Sequence, residues 1–207
     1  MNKTEALKII VDTAKYYHDN LENQRLLFIY EKDKKISYME AIFISRNFLH
    51  LTGIKILNKK IKSSLMFYNL CLKNKLKITD FDFSKDGTTI MKLKILNSII
   101  RNSKSAKMIG EYTNCKRYLK TQKLIGNIFG AIGFIEKDGY YIPNTLLNED
   151  IREITISRGK ILAILKRDRN EYEYKNIIYI AKNIEIDKLL KNIIISDKTK
   201  EKKKTKS

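Results

Sequence analysis

The sequence predicts a single α+β domain, with helices in the first half of the chain and short strands in the second. Before residue 105, apolar residues recur at helical spacing in three segments. After residue 105 they form short or alternating runs, separated by turns rich in glycine and charge. No repeat or linker divides residues 1–197, and 207 residues that are 43% hydrophobic suit one core.

The N-terminal half predicts three helices, a hairpin and one short apolar run. Asn2 and Thr4 are cap candidates for the first helix, and Gly53 ends the short run. In order, we predict a helix over 4–22, a hairpin of 26–30 with 36–44, a strand-like run over 46–53, and helices over 58–75 and 88–103.

The C-terminal half predicts a set of short strands and a final short helix. The dipeptides Asp138-Gly139 and Arg158-Gly159 read as tips of two hairpins, because glycine supplies the positive φ of a tight turn. Pro143, the only proline, predicts the exit of a strand. We predict strands over 107–112, 118–125, 127–136, 151–157, 160–166 and 174–181, a helix over 185–193, and a disordered Lys-rich tail over 198–207.

Several classes of protein are disfavoured by composition and motif. No run approaches the length of a membrane helix, and the N-terminus lacks the apolar stretch of a signal peptide, so a cytoplasmic protein is expected. Cys71 and Cys115 have no CxxC or His neighbour, which predicts neither a disulfide framework nor a zinc site. The absence of a phosphate-binding glycine loop and of HExxH disfavours nucleotide hydrolysis and His-based metal catalysis.

The strong positive charge predicts a polyanionic partner. Lys and Arg total 42 against 23 Asp and Glu, a net charge of +19, and the tail 198–207 supplies only part of that excess. Many of the lysines could simply solvate the surface. The eight arginines carry more information, because their planar guanidinium pairs with phosphate in two places at once.

His50 is the candidate for proton transfer. It follows a short apolar run and precedes Gly53, and an unperturbed pKa near 6.5 lets a histidine act as acid or base at neutral pH. The alternative is a structural histidine that is hydrogen-bonded to a backbone carbonyl. For His18, on the first helix, packing is the favoured interpretation.

Lys92 and Arg152 are the candidate cations. Lys92 shares a helix face with Leu96 and Ile99, so its ammonium could reach a phosphate, although a stem that merely snorkels along the core is the alternative. Arg152 leads an alternating segment in which it shares a face with the apolar Ile154, and an inward arginine needs an anionic partner. On that interpretation Thr155 faces solvent.

Further contacts with nucleic acid are expected from basic and aromatic side chains, since arginine and lysine pair with phosphates and tyrosine stacks on unpaired bases. With 12 tyrosines in the chain, a place in the core is the alternative for each of them. The expected contacts are Lys55, Tyr68, Tyr112, Arg117 and Arg158.

An ordered set of segments resembles a phage-associated family of nucleases. The segments are RNFLHLTGIK, MFYNL, KLKILNSII, AKMIGEY, YYIPNTLLNEDIR, ISRGKILAILKR and EYKNIIYIAK. The family is the fourth phage-associated group in the superfamily of Barnase, EndoU, the tRNase colicins and RelE. The resemblance runs from about residue 10 to residue 185 and rests on the order of the segments.

The resemblance implies helices packed on a twisted, mainly antiparallel sheet, and RNA cleavage without a metal or other cofactor. In such chemistry the 2′-hydroxyl of the substrate attacks the phosphate and leaves a 2′,3′-cyclic phosphate. The matching positions are His50 for proton transfer, Thr52 for orientation, and Lys92 and Arg152 for the scissile phosphate. His50 should therefore lie near Lys92 or Arg152.

Two functions remain open on the sequence. The first is a phage or toxin-type ribonuclease that acts on tRNA or mRNA in the host cytoplasm and could have an antitoxin or immunity partner. The second is a non-catalytic nucleic-acid-binding phage accessory protein. A concave site that joins His50 to the cations favours the enzyme, whereas basic residues spread over a convex face favour the binding protein.

Overall fold

The computed structural model describes residues 1–101, 105–114 and 118–191. Helices dominate before residue 105 and strands after it, so the predicted α+β class is confirmed. The helices are α1 (Lys3–Asn20), α2 (Phe48–Thr52), α3 (Ser64–Leu72), α4 (Thr88–Arg101) and α5 (Ile151–Ile154), with a 3-10 turn at Ser45–Asn47 and helical residues at 186–191. The strands are β1 (Gln24–Lys32), β2 (Lys35–Ile42), β3 (Lys55–Ile56), β4 (Phe81–Asp82), β5 (Met108–Tyr112), β6 (Lys123–Gly126), β7 (Ala131–Lys137), β8 (Tyr140–Leu147), β9 (Thr155–Asp168) and β10 (Asn176–Ile180).

Helix α1 begins where its sequence provides a reciprocal cap. The Asn2 side chain accepts from the Glu5 amide, and the Glu5 carboxylate accepts from the Asn2 amide, so two end donors are satisfied. The buried face of α1 ends in Tyr17, whose ring packs edge-on against Phe48 and Tyr68, with centroids 5.3 and 5.9 Å away. This aromatic contact joins α1 to α2 and α3.

The main sheet is mostly antiparallel and closes on itself. Among the described residues its strand order is β1-β2-β8-β7-β6-β5-β9-β10, and β1 also pairs with β9. Seven strands therefore form a ring, and β10 adds to β9 outside it. The parallel contact of β2 with β8 is a single pair, Ala41 with Tyr141.

The two faces of β1 contact different cores. Leu26 and Phe28 belong to the large core that also takes in the buried faces of α1, α3 and α4. Leu27 and Ile29 point the other way, into a smaller cluster with Leu165 that is covered by the segment containing Leu189. Alternate residues of β1 thus face α1, α3 and α4 on one side of the sheet and the segment around Leu189 on the other.

The short predicted run over 46–53 is helical. Residues 45–52 form the 3-10 turn and α2, and Gly53 ends them in the left-handed conformation with φ 69°. The predicted helix over 58–75 begins later, at Ser64, because the Ser63 hydroxyl caps it by accepting from the Met66 amide.

Two turn predictions have opposite outcomes. Asp138 and Gly139 link β7 to β8 with φ values of 53° and 81°, as a two-residue hairpin requires. Arg158-Gly159 is not a hairpin tip, because β9 runs through it without interruption. A Cβ on Gly159 would lie 2.7 Å from Tyr30 Cδ2 and 2.9 Å from the Glu31 carbonyl oxygen, so the glycine permits close approach of β1.

Pro143 also differs from its prediction. It lies inside β8, opposite Phe134, where the register with β7 shifts. A bulge tolerates a residue without an N–H, so β8 continues to Leu147. The predicted end of the helix over 88–103, residue Arg117 and the tail 198–207 lie outside the described residues.

Candidate functional site

His50 lies in the last turn of α2 and is exposed. The prediction that His50 ends a strand was wrong, because the run FLHLT forms a short helix before Gly53. Phe48, Leu51 and Thr52 are buried on that helix, which leaves His50 on the outer side. An exposed imidazole is accessible to a substrate.

Lys92 contacts the backbone of the same turn. Its Nζ donates to the His50 carbonyl oxygen at 2.8 Å, and its stem crosses Gly53 so closely that a Cβ there would lie 2.8 Å from Lys92 Cδ. Thr89, one turn earlier on α4, donates from its hydroxyl to the Gly53 carbonyl at 2.6 Å. The predicted proximity of His50 and Lys92 is confirmed, and glycine at position 53 permits it.

Thr52 is held inside this turn. Its side chain is fully buried, and its hydroxyl donates to the Leu49 carbonyl oxygen at 2.8 Å. The Ile54 amide approaches the same hydroxyl oxygen at 3.4 Å. Thr52 therefore stabilises the end of α2, and the arrangement gives its hydroxyl no direct access to a substrate.

Lys55 is exposed on β3, and two aspartates lie near it. It pairs in register with Asp82 on β4. Hydrogen bonds from the Phe83 amide and Lys3, with Lys55 nearby, lower the pKa of Asp82. Hydrogen bonds from the Thr88 amide and from Ser84 hold the pKa of Asp86 at about 2. Within the described ranges, no three His, Cys, Asp or Glu side chains are grouped so that they could hold a metal ion.

Arg152 does not point inward as predicted. Asp150 caps α5, so residues 151–154 are helical and the strand alternation does not apply to them. The exposed guanidinium pairs with Asp150, Nη2 to Oδ2 at 2.6 Å, and this ion pair lowers the pKa of Asp150 and raises that of Arg152. Thr155 is buried, contrary to prediction, with its hydroxyl donating to the Ile151 carbonyl.

The structure therefore separates the two predicted cations into different parts of the fold. Helix α5, which carries Arg152, packs against β5, β6 and β9, whereas α2 packs against α3, α4 and β8. Arg158 is exposed and donates to the Arg152 carbonyl oxygen at 2.7 Å. Arg152 and Arg158 form one patch near α5, in which Asp150 offsets part of their positive charge.

Both predicted stacking tyrosines lie in cores. Tyr68 is buried, and its hydroxyl donates to Glu22 Oε2 at 2.9 Å. Burial, reinforced by the Glu22 carboxylate, raises the pKa of Tyr68 well above its usual range. Tyr112 is buried in a cluster with Leu124 and Ile151. Neither ring is available to stack on a base.

A second polar cluster, which the sequence did not predict, joins three strands. Arg25 on β1 and Arg167 on β9 face each other in register, and Glu40 on β2 lies beside them. Glu40 Oε1 accepts from Arg25 Nη1 at 3.5 Å and from Arg167 Nη2 at 3.0 Å. The Tyr174 hydroxyl also donates to Glu40 Oε1. We call these four residues the arginine cluster.

One sequence signal could have directed attention to the arginine cluster. Glu40 is an acidic residue inside the apolar run of a predicted hairpin strand, and a half-buried carboxylate needs a cationic partner. Arg25 immediately precedes the other strand of that hairpin. Arg167 lies far along the chain, and only the register of β1 with β9 brings it there.

Helices on one face of a mainly antiparallel sheet, an exposed histidine beside a lysine, and a strongly basic chain together fit a nuclease domain. Residues 9–183 match the family described as phage-Barnase-EndoU-ColicinE5/D-RelE like nuclease4, and the chain belongs to that family. Comparison with curated proteins and with solved structures gave no significant match. Among the described residues, no helix is both long and apolar enough to cross a membrane.

Proposed function

We propose that this nuclease is a metal-independent endoribonuclease of phage or toxin type that acts on RNA in the host cytoplasm. The observation that carries the proposal is the contact between Lys92 Nζ and the backbone of the exposed His50. In this proposal the imidazole of His50 and the ammonium of Lys92, which is bound to the backbone of the same turn, act on one phosphate. These are the two groups that cleavage by an internal nucleophile requires.

The reaction would proceed by transfer within the substrate. A base removes the proton from the 2′-hydroxyl, O2′ bonds to phosphorus, and the bond from phosphorus to O5′ breaks as O5′ takes up a proton. The products are a 2′,3′-cyclic phosphate and a 5′-hydroxyl. His50 moves a proton in this scheme, and Lys92 stabilises the charge on the phosphorane-like transition state.

The other predicted residues have supporting roles in the proposal. Thr52 acts as a positioning residue, because its buried hydroxyl fixes the turn that presents His50. Arg152 and Arg158 contact RNA outside the cleavage site, since their patch lies on a different set of strands. Lys55 is exposed two residues after Gly53 and is the first basic residue that follows the His50 turn in sequence.

A protein that binds nucleic acid without cutting it is the second candidate. The placement of Arg152 and Arg158 away from α2 favours it, because these cations are spread over the surface rather than gathered at His50. An antitoxin or immunity protein is expected as a partner only if the chain cleaves.

Product analysis tests the proposal. The metal-stripped protein is incubated with total tRNA and mRNA in EDTA, and the ends of the fragments are identified. Fragments ending in 2′,3′-cyclic phosphate and 5′-hydroxyl are expected. Salt-sensitive RNA binding without any cleavage would favour the second candidate instead.

A further inference from the structure

The arginine cluster holds a net positive charge on side chains that are largely buried. The exposed fractions of the Arg25, Glu40 and Arg167 side chains are 16%, 20% and 12%. Two guanidinium groups share one carboxylate, so the three side chains together carry a net charge of about +1. Like charges in register on neighbouring strands disfavour pairing, and covered charge without a counterion is costly.

Two donors in this cluster are not satisfied. Among the described residues, Arg25 Nε and Arg167 Nε are buried N–H groups without a hydrogen-bond partner. Burial lowers the pKa of Arg25, but its hydrogen bond with Tyr140 and the Glu40 charge outweigh that effect and raise it overall. Arg25 therefore stays charged. A network that served the fold alone would be expected to satisfy these donors.

Aromatic rings fix the two guanidinium groups. The Tyr140 ring centroid lies 4.3 Å from Arg25 Cζ, and the Tyr174 centroid lies 4.9 Å from Arg167 Cζ. Tyr174 is tied in turn to Glu40, and Arg167 Nη1 donates to the Glu171 carbonyl oxygen. The forks are thus held in place before any ligand arrives, which lowers the entropic cost of binding.

An open groove adjoins the cluster on the same side of β2. Glu40 and Tyr140 line it together with Tyr38, and it has a volume of about 410 Å³. Tyr38 and Glu40 are two residues apart on β2 and share one face of the sheet. It is the face that Leu27 and Ile29 occupy on β1, opposite α1, α3 and α4. The groove is large enough for a nucleotide, and three tyrosines, with Tyr141 as the third, line it beside the carboxylates of Glu40 and Asp138.

We propose that Arg25 and Arg167 bind a phosphodiester group of single-stranded RNA, with the adjoining bases in the groove against Tyr38 and Tyr140. The proposal rests on the proposed function in taking RNA as the ligand. It adds a substrate-binding site on the sheet face opposite α1, α3 and α4, whereas His50 lies on α2. Glu40 and Tyr174 are positioning residues that orient the two guanidinium groups.

Arginine Nε–H resonances report on this site without any need for cleavage. Full-length protein labelled with ¹⁵N-arginine is titrated with a 2′-O-methyl RNA hexamer, which lacks the attacking hydroxyl and cannot be cut by the proposed route. Inorganic phosphate is titrated in a separate arm. Spectra of Arg25→Lys and Arg167→Lys assign the two signals, since each substitution removes one Nε–H.

The hexamer is expected to shift the Arg25 and Arg167 signals in a saturable manner. Arg25→Lys should weaken hexamer binding by about tenfold or more, because a charge-assisted hydrogen bond from the planar fork is lost while the charge is kept. The matched control is Arg101→Lys, an exposed arginine at the end of α4 to which no RNA contact is assigned, and at most a twofold change is expected for it.

Unchanged signals for both arginines at saturating hexamer would overturn the site. Shifts of the two signals with inorganic phosphate but not with the hexamer would also overturn the site, because they would identify a site for free anions. The two proposals fail separately. Hexamer binding at the arginine cluster with no cleavage of natural RNA rejects the ribonuclease only, whereas RNA cleavage that leaves both signals unmoved rejects this site only.

Discussion

Replacing Lys92 by methionine separates its structural contact from its proposed catalytic charge. The methionine stem keeps the packing over Gly53, while the ammonium that donates to the His50 carbonyl at 2.8 Å is lost. An exposed hydrogen bond of this kind contributes about 0.5–1.5 kcal/mol net. In a domain of this size the melting temperature should therefore fall by about 1–6 °C.

The effect on cleavage should be much larger. Removing a fixed group that stabilises charge in a transition state costs about 10²- to 10³-fold in rate, and Lys92 is proposed to act at the scissile phosphate. The assay is single-turnover cleavage of a fluorescent RNA at a temperature well below the melting transition. Lys94→Met is the matched control, because Lys94 is an exposed residue of the same helix.

The two variants together distinguish a catalytic role of Lys92 from a structural one. Lys94→Met should cleave within about threefold of the unmodified protein, as expected for an exposed residue away from the site. If Lys92→Met loses stability but cleaves as fast as Lys94→Met, then Lys92 only anchors the end of α2. The proposed catalytic role would then be refuted.

Two further predictions concern stability. Because burial and Glu22 raise the pKa of Tyr68, the unfolded chain loses the phenol proton first, and stability should fall as pH rises above about 10, the unfolded value. Tyr68→Phe should cost about 1 kcal/mol at pH 7 and make that alkaline decline shallower in urea titrations; an equally steep decline would contradict the assignment. Gly159→Ala should cost about 1–3 kcal/mol in the same assay, because its Cβ would lie 2.7 Å from Tyr30 Cδ2. Full tolerance of alanine would contradict the close approach of β1.

Elements with a local cause were predictable from the sequence. The hairpin at Asp138-Gly139 needs two residues with positive φ, and both adopt it. Helix α1 follows from its cap at Asn2 and its apolar spacing. In both cases the residues that determine the conformation are neighbours in the chain.

Elements with a tertiary cause were not predictable. Gly159 looks like a turn residue, but its place in β9 depends on Tyr30 of another strand. Arg152 differs, because the cause of its outward orientation is local: Asp150 caps residues 151–154 and converts the predicted start of a strand into a turn of helix. An inward and an outward arginine look alike in an alternating pattern when the cap is overlooked.

The two candidate sites also differ in how far the sequence indicates them. His50 and Lys92 come together because Gly53 leaves room for the lysine stem, and the glycine is visible in the sequence beside the histidine. The pairing of Arg25 with Arg167 depends on the register of β1 with β9. Neither arginine has a neighbour in sequence that indicates the other.

The central claim is that His50 transfers a proton in RNA cleavage that needs no divalent metal. The direct measurement is the cleavage rate in EDTA of the unmodified protein and of His50→Ala, with His18→Ala as the control and binding of the 2′-O-methyl hexamer measured in parallel. Activity should survive chelation, and His50→Ala should lower the rate by about 10²-fold or more while hexamer affinity changes little. Cleavage that EDTA abolishes but His50→Ala retains would contradict the account.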